Sequence, residues 1–353
     1  MQLKLCLLLL LSLFLKSSIL FAKDSCLEKR YVFDIGSGST KSKAYLVNKC
    51  LSKVIKSIGE INKHVRYQDC ISSSFDKKTI TKKCLDEGLK ALKSIESGYK
   101  IDCNKEKCAG FATAWARDAR NSEDVLSIFK EENIHIIPIS QQEEGELGFK
   151  TAIFDPEIRE TIDPKKVIAW DIGGGSFQLS ALDNSGIVYT HEGQYGIFDL
   201  FQEIREKFPK AGHNVNKERY FEKDELEAIF KYTSNKVSQE LAKDNFITSK
   251  LKDKDTRVIG IGRIMYLGLR HQLDATNPVT KAKIKCLAYE FTNISVEEAK
   301  KKYPKLPEHF ASLVQQSLIL IYGIMDSAGI DKFEIVNSTL TDHVAIDQDY
   351  WNN

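Results

Sequence analysis

Two segments of the chain are copies of one short pattern, and they begin 137 residues apart: FDIGSGSTKSKAYL at Phe33 and WDIGGGSFQLSAL at Trp170. In each, an apolar strand ends in Asp-Ile-Gly, passes through a run of Gly and Ser, and continues as a second strand. Glycine-rich hairpin turns are common, but an ordinary turn gives no reason for the aspartate to recur. Because internal repeats indicate a duplicated architecture, we expect two similar structural units.

Each loop has the composition of a phosphate-binding hairpin. Glycine lets the backbone adopt positive φ and approach a ligand closely, while consecutive N–H groups and hydroxyls donate hydrogen bonds to an anion. The candidate phosphate-binding residues are Ser37, Gly38, Ser39 and Thr40 in the first loop and Gly173, Gly174, Gly175 and Ser176 in the second. An aspartate just before such a turn can hold Mg²⁺ beside the phosphate oxygens, so Asp34 and Asp171 are candidate metal ligands.

The order of predicted elements repeats as well. After the first hairpin, hydrophobic patterns predict strands at 54–60, 108–113 and 134–139, with helices at 77–97, from 115, at 125–132 and at 141–154. After the second, they predict strands at 186–192, 257–261 and 334–336, with helices at 198–208, 221–241, 310–326 and 341–346. This alternation predicts an α/β protein whose mixed sheets are covered by helices, with a cleft between two domains. Segments 67–75 and 211–220 are predicted to be loops that shape specificity.

The N-terminal 22 residues have the layout of a secretory signal peptide. A basic residue, Lys4, precedes an apolar run from Leu5 to Leu15, and the small residue Ala22 stands before a polar stretch. The run is too short for an ordinary membrane span, and Lys16 interrupts it. We therefore expect a signal peptide over 1–22 and an exported protein, periplasmic or secreted, with an uncleaved N-terminal anchor as the alternative.

The cysteine distribution agrees with export. Six of the eight cysteines lie between positions 26 and 108, and disulfides are the usual reading of such a cluster in an oxidising compartment. Cys26 and Cys50 are each twelve residues from Gly38, so they are placed to face one another across the open end of the first hairpin. The simplest remaining pairs are Cys70 with Cys84 and Cys103 with Cys108, although other connectivities stay open. Cys286 is expected to be free and buried.

Charge excludes two classes of partner. The net charge is +2 with 28% charged residues, so no global field favours a nucleic acid or a membrane surface. At 353 residues the chain is long enough for two ordinary cores, in agreement with the repeat.

Five segments together resemble the actin-like ATPase superfamily and, within it, the exopolyphosphatase/guanosine pentaphosphate phosphohydrolase (Ppx/GppA) family. They are DIGSGS at Asp34, ATAWARDA at Ala112, ISQQEEGELGF at Ile139, DIGGGSFQ at Asp171 and GIGRI at Gly260. The resemblance implies duplicated actin-like (ribonuclease H-like) domains with mixed five-stranded sheets flanked by helices. Domain I would comprise 28–139 plus 341–353, and domain II would comprise 140–340.

The resemblance also implies a reaction and its residues. The enzyme would hydrolyse terminal phosphoanhydride bonds of inorganic polyphosphate or a nucleoside polyphosphate, with Mg²⁺ or another divalent cation as cofactor. Glu144 matches the family's water-activating base, and Arg117 matches the position that reaches the phosphate chain. From the residues alone, Glu143, Glu144 and Glu146 are also an acidic helical start that suits the helix dipole. No specific nucleic acid is expected, and a homodimer stays open.

Two departures from the family pattern bear on the substrate. The family's second loop usually ends in Glu, whereas this chain has Gln178, a third candidate metal ligand but one without charge. The third glycine segment usually carries Gly-Thr, and here it reads Gly262-Arg263. Glutamine at the first position resembles the ecto-nucleoside triphosphate diphosphohydrolases, which are also extracellular and disulfide-bonded. The alternatives are therefore a nucleoside tri- or diphosphatase, a non-catalytic phosphate- or nucleotide-binding relative, and a kinase or chaperone-like ATPase.

Overall fold

The computed structural model describes residues 26–208, 221–311 and 313–351. The predicted signal peptide at 1–22 and the predicted loop at 211–220 lie outside these residues. Within the described part of the chain, no helix combines the length and apolar character needed to cross a membrane.

The first half of the chain forms a five-stranded sheet in the order β3-β2-β1-β4-β5. Its strands are β1 Leu27–Gly36, β2 Ser39–Asn48, β3 Lys53–His64, β4 Lys107–Ala112 and β5 His135–Pro138. The first three form an antiparallel meander, and β4 and β5 run parallel to β1. The helices of this half are α1 Tyr67–Ser73, α2 Lys82–Tyr99, α3 Ala114–Asp118 and α4 Ser122–Glu131.

The second half repeats this topology strand for strand. Its sheet has the order β10-β11-β9-β6-β7-β8, formed by β6 Val167–Ile172, β7 Phe177–Leu182, β8 Val188–Gly193, β9 Arg257–Gly260, β10 Val279–Thr280 and β11 Lys332–Ile335. The antiparallel β6-β7-β8 meander and the parallel β6-β9-β11 ladder match β1-β2-β3 and β1-β4-β5. The predicted duplicated α/β architecture is confirmed, with one correction: β10 pairs antiparallel with β11 as a sixth strand.

The helices of the second half depart from the sequence prediction at several places. They are α5 Gln141–Ile153, α6 Ile197–Lys207, α7 Lys223–Leu241, α8 Asn245–Lys252, α9 Lys281–Glu290, α10 Val296–Lys302, α11 Glu308–Ala311, α12 Val314–Ala328 and α13 Leu340–Val344. A π-helix over Ile264–Gln272 was not predicted, nor were α8, α9 and α10. The single helix predicted at 310–326 is divided into α11 and α12. The segment 67–75, predicted to be a loop, is largely the helix α1.

Alternation along the strands sends side chains to three cores. In β1, Phe33 and Ile35 pack beneath the helices of the first half, whereas Val32 faces the other way. In β6, Trp170 packs with the helices of the second half and Ala169 faces the other way. The third core therefore joins the two sheets, with apolar residues of α5 and α13 among its members. The cleft between the two halves lies next to this shared core. The domain boundaries at 139/140 and 340/341 stay a prediction.

The predicted cysteine pairs are at disulfide distance. Cys26–Cys50, Cys70–Cys84 and Cys103–Cys108 have Cα–Cα separations of 5.4, 6.2 and 5.5 Å. Cys286 is free, as predicted, but the prediction that it is buried is wrong, because the residue is exposed. The core-facing residues of α9 are Ile284, Leu287 and Ala288, and position 286 lies on the opposite face of this helix.

Candidate active site

The two Gly-Ser loops face each other in the cleft, where a Cβ on Gly174 would lie 3.7 Å from Cβ of Ser37. In the first, Ser37 and Gly38 form the turn between the paired residues Gly36 and Ser39. In the second, the N–H of Gly173 donates to the carbonyl of Ser176 at 2.8 Å, which closes the loop. Backbone pairing therefore closes both turns, and consecutive N–H groups in turns of this kind can bind anions.

One aromatic ring lies between the loops. A Cβ on Gly38 would lie 3.0 Å from Cε2 of Phe198, and a Cβ on Gly174 would lie 2.6 Å from the same atom. Phe198 is in the first turn of α6, and its N–H donates to the carbonyl of Gly174 at 2.9 Å. Both glycines are therefore required for close packing on a single side chain, which sets the spacing of the two loops. Sequence reasoning did not detect Phe198, because nothing in its local pattern marks it.

The loops line a cleft of about 500 Å³ that reaches from both hairpins outward between the two halves. Seven of the eight predicted loop residues line it: Ser37, Gly38, Ser39, Gly173, Gly174, Gly175 and Ser176. The structure does not bring the Thr40 side chain there. Its hydroxyl is fully buried and hydrogen-bonds to Tyr67 at 2.8 Å, because position 40 falls on the opposite strand face from Ser39.

The two repeated aspartates lie on the facing sides of the two sheets. Asp34 is two residues after Val32 and Asp171 is two residues after Ala169, so each shares the strand face that points to the third core. Asp34 forms an ion pair with Lys41, whose Nζ lies 2.7 Å from Asp34 Oδ2. Burial, and then the charge of Glu144, raise the pKa of Asp171 to about 7.

Gly262 makes room for Asp171. Its φ is +82°, and a Cβ at this position would lie 2.6 Å from Oδ1 of Asp171. Two constraints therefore favour glycine at position 262: the positive φ of the backbone and the close approach of the Asp171 carboxylate.

Glu144 enters the cleft from the first turn of α5. Ser140 and Glu143 form a capping box that fixes the start of this helix, and Gly145 lets the helix lie against β7 and β8, where a Cβ would collide with Thr190 and Ser180. Packing of α5 therefore requires Gly145, and the neighbouring Glu144 lines the cleft. The predicted acidic helix start is present, with Glu143 and Glu144 in the first turn, and the role of Glu144 as the base stays a prediction.

Arg117 holds Glu144 rather than the open cleft. Its Nη1 donates to Glu144 Oε2 at 2.9 Å and to the carbonyl of Ile139 at 3.1 Å, and Nη2 lies 3.4 Å from Ser176 Oγ. Burial raises the pKa of Glu144, and the opposite charge of Arg117 works against this rise. The predicted catalytic pair is therefore brought together, with Arg117 behind the carboxylate.

Gln178 lies beneath the second loop and is not among the residues lining the cleft. It is 2% exposed, and its Nε2 donates to Ser176 Oγ at 3.1 Å. In the strand register Gln178 is opposite Asp171, the place that Lys41 has opposite Asp34 in the first hairpin. Neither repeat has a carboxylate at this position.

A divalent cation fits the acidic residues present. Asp34, Glu144 and Asp171 line one cleft, and two of these carboxyl groups have raised pKa values because burial and mutual repulsion disfavour their charged forms. A cation would relieve that repulsion. Among the described residues no three ligating side chains form a metal cage, and Mg²⁺ in phosphate-transfer sites usually takes one or two carboxylates with the remaining ligands from phosphate and water.

Two other basic residues near the predicted motifs, Arg120 and Arg263, differ in whether they line the cleft. Arg120 points to Asp76 and is 68% exposed. Arg263 lines the cleft and forms an ion pair with Glu60, so the two walls of the cleft are linked by one charged pair. Sequence reasoning missed Glu60, since a glutamate on an edge strand carries no signal of a partner far along the chain.

Comparison with known proteins identifies the family to which the chain belongs. A model of the Ppx/GppA phosphatase family matches residues 46–344. The chain belongs to this family. It is accordingly a phosphoanhydride hydrolase with the actin-like fold. No curated protein sequence matches the chain.

Solved structures show the same fold at low identity. The Ppx/GppA family member of Aquifex aeolicus matches with a TM-score of 0.64 and 16% identity, over 91% of this chain and 97% of that one. An exopolyphosphatase from Cytophaga hutchinsonii matches with a TM-score of 0.64 and 15% identity, over 90% and 96%. The type II variant of the Aquifex aeolicus Ppx/GppA phosphatase matches with a TM-score of 0.61 and 17% identity, over 90% and 98%.

Proposed function

We propose that the protein is an exported, divalent-cation-dependent hydrolase that releases the terminal phosphate of inorganic polyphosphate or a nucleoside polyphosphate. One observation carries the proposal: the Glu144 carboxylate lines the same cleft as the two facing phosphate loops and is held there by Arg117 at 2.9 Å. The cysteine pairs at disulfide distance support export, because such bonds persist in oxidising compartments.

In the proposed reaction, the backbone N–H groups and hydroxyls of the two loops bind the terminal phosphate. Glu144 accepts a proton from a water molecule as the water oxygen attacks phosphorus. The bond from phosphorus to the bridging oxygen breaks, and the shortened chain leaves with that oxygen. Burial favours this role, since a carboxylate with a raised pKa is a stronger base.

Arg117 acts in this scheme as a positioning residue. Its hydrogen bonds to Glu144 and to the Ile139 carbonyl restrict the carboxylate to one orientation. Asp34 and Asp171 would hold the cation, which when bound supplies charge neutralisation for the phosphate oxygens. Positioning and charge neutralisation provide most of the catalysis in phosphoryl transfer.

A phosphate-release assay tests the proposal. The purified protein is given polyphosphate, ATP, ADP and GTP with Mg²⁺, Mn²⁺ or Ca²⁺, and release of phosphate from at least one substrate is expected. The Glu144→Gln variant is expected to lose on the order of 10²–10⁴ in rate. Glu146→Gln on the same helix is the control, because that side chain pairs with Lys150 at 2.7 Å. No release from any substrate would overturn the proposal, and an unchanged rate in Glu144→Gln would reassign the base.

A non-catalytic relative is the second candidate, favoured by Gln178 in place of a charged residue. It predicts phosphate or nucleotide binding without turnover, in the wild type and in Gln178→Glu alike.

A further inference from the structure

The outer part of the cleft, away from the catalytic carboxylates, has two unlike walls. The polar wall belongs to β2 and β3, where Asn62 is the register partner of Lys41. The apolar wall is built from the π-helix, α11 and the residue before α12: Ile264, Leu267, Gly268, Phe310 and Leu313 line it. Phe310 lies over Gly268, where a Cβ would be 3.1 Å from its ring.

The cleft offers little net positive charge to a polyanion. Four lysine or arginine side chains line it among the described residues, and each has a carboxylate partner: Lys41 with Asp34, Lys43 with Asp342, Arg66 with Asp69 and Arg263 with Glu60. Four acidic residues line the same space: Asp34, Glu60, Glu144 and Asp171. A long polyphosphate carries charge along its whole length and needs successive unpaired cations. In this cleft the basic and acidic residues that line it are equal in number.

Two partly exposed carboxamide side chains in the outer cleft each have a buried oxygen without a hydrogen-bond partner. They are Asn62, whose Oδ1 is unpaired on the polar wall, and Gln272, whose Oε1 is unpaired at the end of the π-helix. Leaving a buried polar atom unpaired costs about 1–3 kcal/mol, and a ligand in the cleft that donates hydrogen bonds would remove this cost at Asn62 and Gln272. A deprotonated polyphosphate has no donor for them. Ribose hydroxyls and the N–H groups of a nucleobase do.

We propose, building on the hydrolase function above, that the outer cleft binds the nucleoside of a nucleoside di- or triphosphate, and that such nucleotides are the preferred substrates. The base lies against Leu267 and Phe310, and the sugar or base edge donates to Asn62 and Gln272. The phosphates then extend inward to the two loops and Glu144. Apolar walls with a few convergent polar groups are the usual form of a small-molecule site.

The experiment compares substrates that differ only in the nucleoside. Values of kcat/KM are measured for ATP, GTP and inorganic tripolyphosphate, each of which carries three linked phosphates. We expect at least one nucleotide to exceed tripolyphosphate by about tenfold or more. Equal values, or faster hydrolysis of tripolyphosphate or longer chains, would overturn the inference and leave the hydrolase function intact. No hydrolysis of any of them would instead remove the hydrolase function.

Variants in the outer cleft provide the second readout. Phe310→Ala and the double variant Asn62→Ala/Gln272→Ala are expected to lower kcat/KM for the nucleotide about tenfold while leaving tripolyphosphate within about twofold. Leu51→Ala, an apolar side chain that is 71% exposed outside the cleft, is the control. A parallel loss on both substrates would contradict the inference. Nucleoside monophosphate should also inhibit tripolyphosphate hydrolysis competitively in the wild type, and absence of inhibition would count against the site whatever the variants do.

Discussion

Gln178 donates a hydrogen bond from Nε2 to the hydroxyl of Ser176 at 3.1 Å. Arg117 Nη2 lies 3.4 Å from the same oxygen. A serine hydroxyl has two acceptor lone pairs and one donor hydrogen. With both lone pairs facing N–H donors, the hydrogen of Ser176 is directed to whatever anion lies in the loop.

Gln178→Glu is therefore expected to weaken substrate binding. A carboxylate at this position would accept the Ser176 hydrogen and withdraw it from the phosphate. We expect KM to rise about fivefold with a smaller change in kcat. The double variant with Ser176→Ala is the control, since the effect of Gln178→Glu should then largely vanish. A gain in kcat in the single variant would show that the carboxylate serves the metal site instead.

Arg117→Met should move the acidic limb of the pH–rate profile. Arg117 favours the charged form of Glu144, so its removal raises the pKa of Glu144 further. The base must be deprotonated, hence the half-maximal rate should shift upward by about one pH unit. Arg120→Met, from the same ARDA segment but 68% exposed, should leave the profile unchanged. An equal shift in both variants would contradict this role.

Gly262→Ala should lower the rate of hydrolysis, and its loss of unfolding free energy should match that of a glycine replaced elsewhere. The left-handed backbone costs a non-glycine residue about 1–2 kcal/mol, and the new methyl also displaces Asp171. Gly186→Ala is the matched control, because its φ is +83° but nothing lies within 4 Å of the added Cβ. Comparable losses of unfolding free energy are expected in both, with the rate reduced only in Gly262→Ala.

Asp199 should make stability depend on pH. Burial chiefly raises the pKa of Asp199 to about 6, with the charge of Asp118 adding to the rise. The folded state thus keeps a proton that the unfolded chain loses, so the contribution of Asp199 to stability is full below about pH 4 and is lost as the pH rises through 6. The loss is on the order of 3 kcal/mol. Asp199→Asn should flatten denaturation midpoints between pH 4 and 7, and Glu206→Gln on the same helix should not.

The Cys70–Cys84 disulfide should support the first phosphate loop. It joins α1 to α2, and α1 holds the loop through the Gln68 N–H, which donates to the Ser37 carbonyl at 3.1 Å. Replacing both cysteines with serine is expected to cost about 2–4 kcal/mol of stability and to raise KM. The same replacement at Cys103–Cys108, a pair separated by 5 residues, should leave KM unchanged. Unequal stability losses alone would not support the link.

The parts of this fold that local patterns encode were predictable. The Asp-Ile-Gly hairpins and the disulfide across the open end of the first one follow from short motifs, whereas Arg117, predicted to reach the phosphate chain, is hydrogen-bonded to Glu144. Strand alternation then brings Asp34 and Asp171 to facing sides, which is a period-of-two argument available from sequence.

The parts that depend on tertiary packing were not predictable. Thr40 carries a hydroxyl next to the first loop, yet its partner is Tyr67 of α1, a helix that the sequence pattern did not predict. Phe198 contacts glycines from two distant loops, and Glu60 meets Arg263 across the cleft. The π-helix has bonds such as Leu273 N–H to the Gly268 carbonyl, whose longer span leaves no distinct hydrophobic period.

The third core has a mechanical consequence. Val32 and Phe111 of the first sheet share it with Ala169 and Ile259 of the second. Moving the halves apart at this depth would expose apolar surface to water, which is unfavourable in proportion to the area. The two halves are therefore expected to stay joined at this core while a ligand enters and leaves the cleft, and heating should melt both halves in a single calorimetric transition.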